Sequence, residues 1–252
     1  MLALKNKVSN HISRFFGDSL ASSPPNAPQP RYFSLNLPSF TSRSSMEEPG
    51  GEEDRDYDYG LNKSEIIETK MVNTSPHDPL SNLTDESSFI TVDLYSLLEP
   101  ALPNIVKGCR WMLLYSTNKD GISLKTLIRK SAENSGPCLL IAGDREGAVF
   151  GGLLESPLTP TPKRKYQGGN QSFVFTTAHG SPRLYLPTGR NRYFFMCTND
   201  LLAMGGGGDF AFRLDGDLLH GSSGLSETFS NMCLANTREF ELKNVELWGF
   251  TH

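Results

Sequence analysis

The chain has 252 residues, of which 37% are hydrophobic and 21% charged, and its net charge at pH 7 is −4. These values are ordinary for a soluble globular protein, and no apolar run approaches the roughly 20 residues that cross a bilayer. The charge is uneven: residues 1–45 carry +4, residues 46–86 carry −9 and residues 87–252 carry +1. The last part lacks the basic surface that nucleic-acid binding requires, so we expect no nucleic-acid partner for it.

The N-terminus has a basic, amphipathic pattern. Five apolar residues would share one side of a helix: Leu4, Val8, Ile12, Phe15 and Phe16. Residues 1–17 also contain no acid, and the segment RYFS at 31–34 resembles a mitochondrial cleavage site. Three interpretations of residues 1–34 stay open: a targeting peptide, a helix whose residues 1–17 lie on a membrane surface, or a tail without fixed structure.

Residues 35–86 are rich in Pro, Ser, Gly and acidic residues, a composition that predicts a disordered acidic linker. The folded domain is therefore expected at residues 87–252, which are enough for one hydrophobic core. The four cysteines form no C-x-x-C pair, and no apolar secretory core opens the chain. This favours reduced, intracellular thiols in the mitochondrion or cytosol, with the nucleus also open, and predicts neither a metal nor a cofactor.

The first part of the domain combines helical signals with one strand. A short helix is predicted from about Thr91 to Pro100. A second helix is predicted from Ser123, which is placed to cap it, to Gly136. The segment GCRWMLLYS, residues 108–116, reads as a buried strand between them.

From Cys138 onward the apolar pattern alternates with a period of two. Strands are predicted at 138–142, 148–154, 172–177, 183–189, 191–198 and 240–250, with the turn GDREG joining the first two. Helices followed by a run of antiparallel strands predict an α+β fold. Its expected architecture is a sandwich of two packed antiparallel β-sheets with a few flanking helices.

The stretch MGGGGDFAFRLDGDLLHGSSG, residues 204–224, is the most unusual part of the sequence. Its apolar residues alternate from Phe210 to Leu214, and the dipeptide Asp215–Gly216 is one that a type I′ turn prefers. We therefore predict a β-hairpin whose second strand begins at Leu218.

The four glycines at 205–208 do not match a phosphate-binding loop. Such a loop continues into Lys and a helix, whereas Gly208 is followed by Asp209 and a predicted strand. A glycine run in this position more often marks a bulge or a close contact between backbones. The glycines are thus expected to serve the geometry of the sheet, or to shape an edge that faces a partner.

Two residues are candidates for catalysis. His220 opens the segment HGSS, and Asp215 or Asp217 could orient its ring, but the chain has no G-x-S-x-G motif. Cys197 could form a thiolate site with His179 or His220, although a cysteine in an aromatic strand is more often a buried apolar residue. A small thiol peroxidase or a His/Ser hydrolase is therefore the alternative to a binding protein.

Residues 87–252 resemble a TLDc domain of the oxidation-resistance type, most like the plant members of that family. The resemblance is carried, in order, by WMLLYSTNKDGISLKTL, GAVFGG, SFVF, TGRNRYFFMCTNDLLAMGGGGDFAFRLDGDLLHGSS, TFSN and VELWGF. It implies a two-sheet sandwich with helices around it. It also implies a protein-interaction module without a cofactor that raises oxidative-stress resistance and, as in several relatives, binds and regulates the vacuolar proton-pumping ATPase.

The resemblance also singles out residues expected to be structural or to face a partner. They are Gly151, Gly152, Gly205, Gly206, Gly207, Asp215, Trp248 and Gly249. The chain departs from the family pattern at Ser226, where many members have cysteine, and in the loop 155–167, which lacks a tryptophan. That loop carries Lys163, Arg164 and Lys165, so we expect it to be exposed and to influence the choice of partner.

Overall fold

The computed structural model describes residues 79–252. The predictions for residues 1–34, and those for the linker up to residue 78, lie outside the described residues. Within residues 79–252, no helix has the length and apolar character needed to cross a membrane.

Three α-helices and eleven β-strands follow one another in the described part of the chain. The helices are α1 (Val92–Leu98), α2 (Thr117–Asp120) and α3 (Leu124–Ser131), and 3-10 turns lie at Pro79–Asn82 and Glu99–Ala101. The strands are β1 (Arg110–Ser116), β2 (Cys138–Asp144), β3 (Val149–Leu154), β4 (Tyr166–Gln167), β5 (Val174–Thr176), β6 (Arg183–Tyr185), β7 (Phe195–Cys197), β8 (Leu201–Met204), β9 (Phe212–Asp215), β10 (His220–Ser223) and β11 (Glu239–Thr251).

Side-chain caps set the start of the two longer helices. The hydroxyl of Thr91 accepts the N–H of Leu94 at 3.2 Å, and that of Ser123 accepts the N–H of Thr126 at 3.3 Å, so both helices begin where the sequence predicts. The predicted end of α3 at Gly136 is wrong, because the helix ends at Ser131. Beyond it the Asn134 side chain donates to the carbonyls of Gly136 and Pro137 and closes a turn.

The strands form two antiparallel sheets that share β11. The first sheet has the order β1-β11-β2-β3-β5-β6, and the second has the order β4-β7-β8-β9-β10-β11. Residues 239–241 of β11 pair with β10, whereas residues 242–248 pair with β2 and residues 246–251 with β1. One long strand therefore passes from the edge of the second sheet into the first, where it lies between β1 and β2, and the predicted α+β sandwich is confirmed.

The main core lies between the two sheets. The ring of Phe150 on the first sheet lies 5.7 Å from that of Phe212 and 4.9 Å from that of Phe240, with each pair edge-to-face. The other face of the first sheet is covered by α1 and the segment after it, which bury Leu139 and Ile141. Because helices cover one face and the second sheet covers the other, every residue of β2 is buried.

The hairpin of β9 and β10 is present, but the type I′ turn predicted at Asp215–Gly216 is wrong. The connection has four residues, Gly216 to Leu219, and its left-handed residue is Leu218, with φ of 51°. The N–H of Leu218 donates to the Asp215 carbonyl at 2.9 Å. This turn is favoured because it places the Leu218 side chain in the core, and the returning strand consequently begins at His220.

Candidate functional site at the glycine loop

Residues Gly205–Gly208 begin the connection between β8 and β9. The backbones of Gly205 and Gly207 are left-handed, with φ of +78° and +81°, a conformation that glycine adopts without strain. The N–H of Gly205 donates to the Phe194 carbonyl at 2.8 Å, and a Cβ on Gly205 would lie 2.6 Å from Ser226 Oγ. The loop is therefore built into the sheet and into the segment that contains Ser226.

Gly206 and Gly207 are enclosed by side chains from distant parts of the chain. A Cβ on Gly206 would lie 2.5 Å from the Tyr166 hydroxyl and 2.9 Å from Tyr193 Cβ. A Cβ on Gly207 would lie 2.6 Å from Asn191 Nδ2. Each of these glycines thus allows a side chain to pack directly on the backbone, so the close contact joins a side chain and a backbone and not two backbones as the sequence predicted.

Thr228 ties the loop to the chain segment beside it. Its buried hydroxyl accepts the N–H of Gly206 at 3.0 Å and donates to Asn191 Oδ1 at 2.8 Å. Its own N–H donates to the Gly206 carbonyl at 3.2 Å. The backbone of Gly206 is therefore held on both sides, and the loop has a defined shape.

Aromatic and apolar side chains reach solvent beside this loop. The rings of Tyr166 and Tyr193 stack with centroids 4.5 Å apart, and Tyr193 is 43% exposed. Burial, and then the neighbouring Tyr193, raise the pKa of Tyr166. Leu225, whose carbonyl accepts the N–H of Asp209 at 3.1 Å, is 66% exposed. We use the name glycine-loop surface for the accessible residues Gly207, Gly208, Tyr166, Asn191, Tyr193, Leu225 and Glu227, beneath which Gly205 and Gly206 are buried.

The other glycines singled out by the sequence lie in the first sheet. A Cβ on Gly152 would lie 2.5 Å from the Phe173 carbonyl oxygen and 2.7 Å from Met204 Sδ of the second sheet, so this glycine lets the sheets approach each other. A Cβ on Gly151 would collide with the Leu140 carbonyl. Both positions lie far from solvent and act on packing.

The remaining predicted motif residues also have packing partners. Trp248 is buried and its Nε1 donates to the Glu246 carboxylate at 3.0 Å, while a Cβ on Gly249 would lie 3.0 Å from Leu114 Cδ1. Asp215 ends β9 and accepts from the Arg213 guanidinium at 2.7 Å. Of the predicted set, the structure therefore places only Gly207 at the glycine-loop surface, with Gly205 and Gly206 buried beneath it.

Cys197 and His220 do not come together. Register places Cys197 in one row across the second sheet with Leu202, Leu214 and Gly221, so Cys197 faces the core and His220 the opposite side. Three strand spacings separate β7 from β10, or about 14 Å. Cys197 has no exposed surface, and burial raises the pKa of its thiol to about 12.

His220 does contact an acidic residue. Its Nδ1 lies 3.2 Å from Asp217 Oδ2, and both side chains are at least half exposed. The N–H of Leu219, and then the His220 ring, lower the pKa of the Asp217 carboxyl. The nearby Ser223 hydroxyl is buried, donates to the Ala211 carbonyl at 2.6 Å and accepts from Leu234, so it is committed to the fold. Within residues 79–252, no three His, Cys, Asp or Glu side chains are grouped so that they could hold a metal ion.

Sequence reasoning missed the side chains that surround the glycines. Tyr166 lies in a two-residue strand, and Asn191 and Thr228 lie outside any strand, so none of them belongs to a periodic pattern. The three basic residues at 163–165 are exposed, as expected for their loop.

These observations define a β-sandwich domain with a rigid glycine loop and an exposed aromatic surface beside it. The chain belongs to the TLDc domain family, whose profile matches residues 83–251. It is 38% identical to human oxidation resistance protein 1 over 192 residues, which are 74% of this chain and 22% of that protein. It is also 38% identical to human nuclear receptor coactivator 7 over 152 residues, 59% of this chain and 16% of that protein. The chain thus matches only about a fifth of the length of these relatives.

Proposed function

We propose that this TLDc domain is a non-catalytic binding module that contributes to oxidative-stress resistance by binding the vacuolar proton-pumping ATPase. Family membership supports the stress-related part, because several relatives are named oxidation resistance protein 1. What the chain has in common with these long relatives is essentially the one domain.

The observation that carries the proposal is the glycine-loop surface. The loop backbone is held by hydrogen bonds to Phe194 and Thr228, so binding a partner there costs little conformational entropy. Tyr193 and Leu225 expose apolar area beside it, and tyrosine is among the residues that contribute most to protein interfaces.

The state of two of the four cysteines, Cys138 and Cys197, supports a role in which these two thiols do not react. Cys197 and Cys138 have no exposed surface, and burial raises their pKa values to about 12 and about 11. The thiolate, which is the reactive form of cysteine, is therefore scarce at both positions at neutral pH.

Affinity capture from cell lysate with the full chain as bait tests the proposal. The parent should retain subunits of the vacuolar ATPase, and Tyr193→Ala or Leu225→Ser should lose most of them, together with protection of peroxide-treated cells. The matched control is Ile105→Ser, since Ile105 is 71% exposed and lies in the segment that covers the opposite face of the first sheet. Failure of the parent to retain the ATPase, where a relative retains it, would refute the partner. Equal retention by the two surface variants would refute the surface.

A further inference from the structure

A second feature lies where the β2–β3 turn meets β10 and β11. A cleft of about 370 Å³ opens there, and its charged and titratable lining residues are Asp144, Arg145, Glu146, His220, Glu239 and Glu241. Four carboxylates and one guanidinium line the cleft, so it carries a net negative charge. Its volume is at the lower end for ligand sites, which suits one side chain better than a large molecule.

Asp144 has an unused hydrogen-bonding atom in this cleft. The residue is 2% exposed, and its Oδ1 accepts the N–H of Ala148 at 2.8 Å within the β2–β3 turn. Its Oδ2 is buried, and none of the residues from 79 to 252 donates a hydrogen bond to it. The turn needs only Oδ1, and a buried carboxylate oxygen without a donor is costly, so the fold alone does not explain Oδ2.

The cation already present in the cleft, Arg145, pairs with Glu241 and not with Asp144. The Arg145 guanidinium lies 3.1 Å from Glu241, and these side chains are 67% and 58% exposed. Glu146 and Glu239 are exposed and have no ion pair with any described residue. The cleft therefore retains unneutralised negative charge near Asp144.

The geometry of the cleft indicates which kind of donor would suit Asp144 Oδ2. The carboxylates in the described part of the chain are not grouped closely enough to hold a metal ion. A guanidinium group is planar and larger than a metal ion. Its several N–H donors can bond to one carboxylate while they approach others. Because Oδ2 is shielded, a donor reaches it only when side chains at the mouth move, and the Arg145 side chain can do so by breaking only its exposed ion pair with Glu241.

We propose that the Asp144 cleft accepts an arginine side chain from the protein partner, with the guanidinium donating to Asp144 Oδ2 between Glu146 and Glu239. The inference rests on the proposed function, because it names the chemistry of one contact with the partner. It adds a charged contact to the apolar one at the glycine-loop surface.

The test is an amide NMR titration of the ¹⁵N-labelled full chain with the capped peptide acetyl-Gly-Arg-Gly-amide. Saturable shifts are expected at the amides of Arg145, Ala148 and Gly221, and the citrulline peptide, which lacks the charge, should bind at least tenfold more weakly. Asp144→Asn should weaken binding at least tenfold, and it should fold because its Oδ1 can still accept the Ala148 N–H. Asp93→Asn, at an exposed position in α1, should bind as the parent does.

Equal binding of the citrulline peptide, or undiminished binding by Asp144→Asn, would overturn the proposal. It would also be overturned if calcium chloride displaced the peptide from the same amides, which would indicate a metal site. If the peptide bound only after Lys5, Lys7 and Arg14 were replaced by Gln, the occupant would be this chain's own N-terminal segment. Because the titration contains no ATPase, its result stands apart from the capture experiment: peptide binding without ATPase capture would refute only the identity of the partner.

Discussion

Replacing Gly205 by alanine should destabilise the protein more than replacing Gly189, although both backbones are left-handed to the same degree. Their φ angles are +78° and +79°. A Cβ on Gly189 would have no neighbour within 4 Å, whereas a Cβ on Gly205 would lie 2.6 Å from Ser226 Oγ and 3.0 Å from Ala211 Cβ. The two variants therefore differ in packing and not in backbone strain.

The expected free energies follow from these two contributions. A left-handed alanine costs about 1–2 kcal/mol at either position. Overpacking a filled site adds about 1–3 kcal/mol, and only at Gly205. We therefore expect the free energy of unfolding to fall by about 1–2 kcal/mol in Gly189→Ala and by about 2–5 kcal/mol in Gly205→Ala.

Equilibrium unfolding of the full chain in urea, followed by tryptophan fluorescence, measures both changes, since Trp111 and Trp248 are buried. Gly121→Ala is a second control, because Gly121 has φ of +81° and open space around it. If Gly205→Ala and the controls agreed within about 0.5 kcal/mol, the close packing of the glycine loop would contribute nothing and the reasoning would be refuted.

Three further predictions concern buried and reactive groups. Glu246 is buried, and its carboxylate accepts the Ser88 N–H at 2.8 Å and the Trp248 Nε1–H. In Glu246→Gln an amide N–H₂ would face one of these donors, so the free energy of unfolding in urea should fall by about 2–3 kcal/mol. Burial raises the pKa of Cys138 to about 11 and that of Cys197 to about 12. As the pH rises, the unfolded chain therefore loses these thiol protons before the folded protein does. The free energy of unfolding should be unaffected below about pH 8.5 and should fall between about pH 9 and 11 by roughly 1 kcal/mol per pH unit for each thiol. Peroxide survival of cells should be unchanged by Cys197→Ala, because this thiol has no exposed surface, and loss of protection in that variant would favour an enzyme.

Matched variants control these measurements. Glu239→Gln, at an exposed position on the same strand, should leave the unfolding free energy within about 0.5 kcal/mol of the parent. Cys197→Ala should remove one thiol's share of the alkaline slope. An unchanged slope in that variant would mean that other groups, and not this buried thiol, cause the loss of stability.

Local patterns predicted the elements that depend on neighbours in sequence. The caps at Thr91 and Ser123 started helices where expected, and the apolar segments on both sides of GDREG formed the β2–β3 hairpin. Whether the glycine run serves the sheet or a partner-facing edge stays a prediction. The turn at Asp215–Gly216 was wrong because burial of Leu218 outweighed the preference of the dipeptide, which is a tertiary effect.

The surroundings of the glycine loop could not be predicted in the same way. Tyr166 belongs to a two-residue strand that exists only because β7 pairs with it, and no periodicity marks so short an element. Asn191 and Thr228 approach the loop from segments without regular structure. Asp144 Oδ2, which accepts no hydrogen bond from residues 79–252, could likewise be identified only from the three-dimensional structure.

By itself, the sequence determined the α+β sandwich and the family to which the chain belongs, because these depend on local alternation, turn residues and spacing along the chain. Only the tertiary structure decided that Cys197 and His220 lie on opposite faces of one sheet, that Tyr166 and Tyr193 stack beside Gly206, and that Asp144 Oδ2 has no hydrogen-bond donor among residues 79–252. Each of these depends on strand order and on contacts between segments far apart in sequence, which a local pattern does not encode.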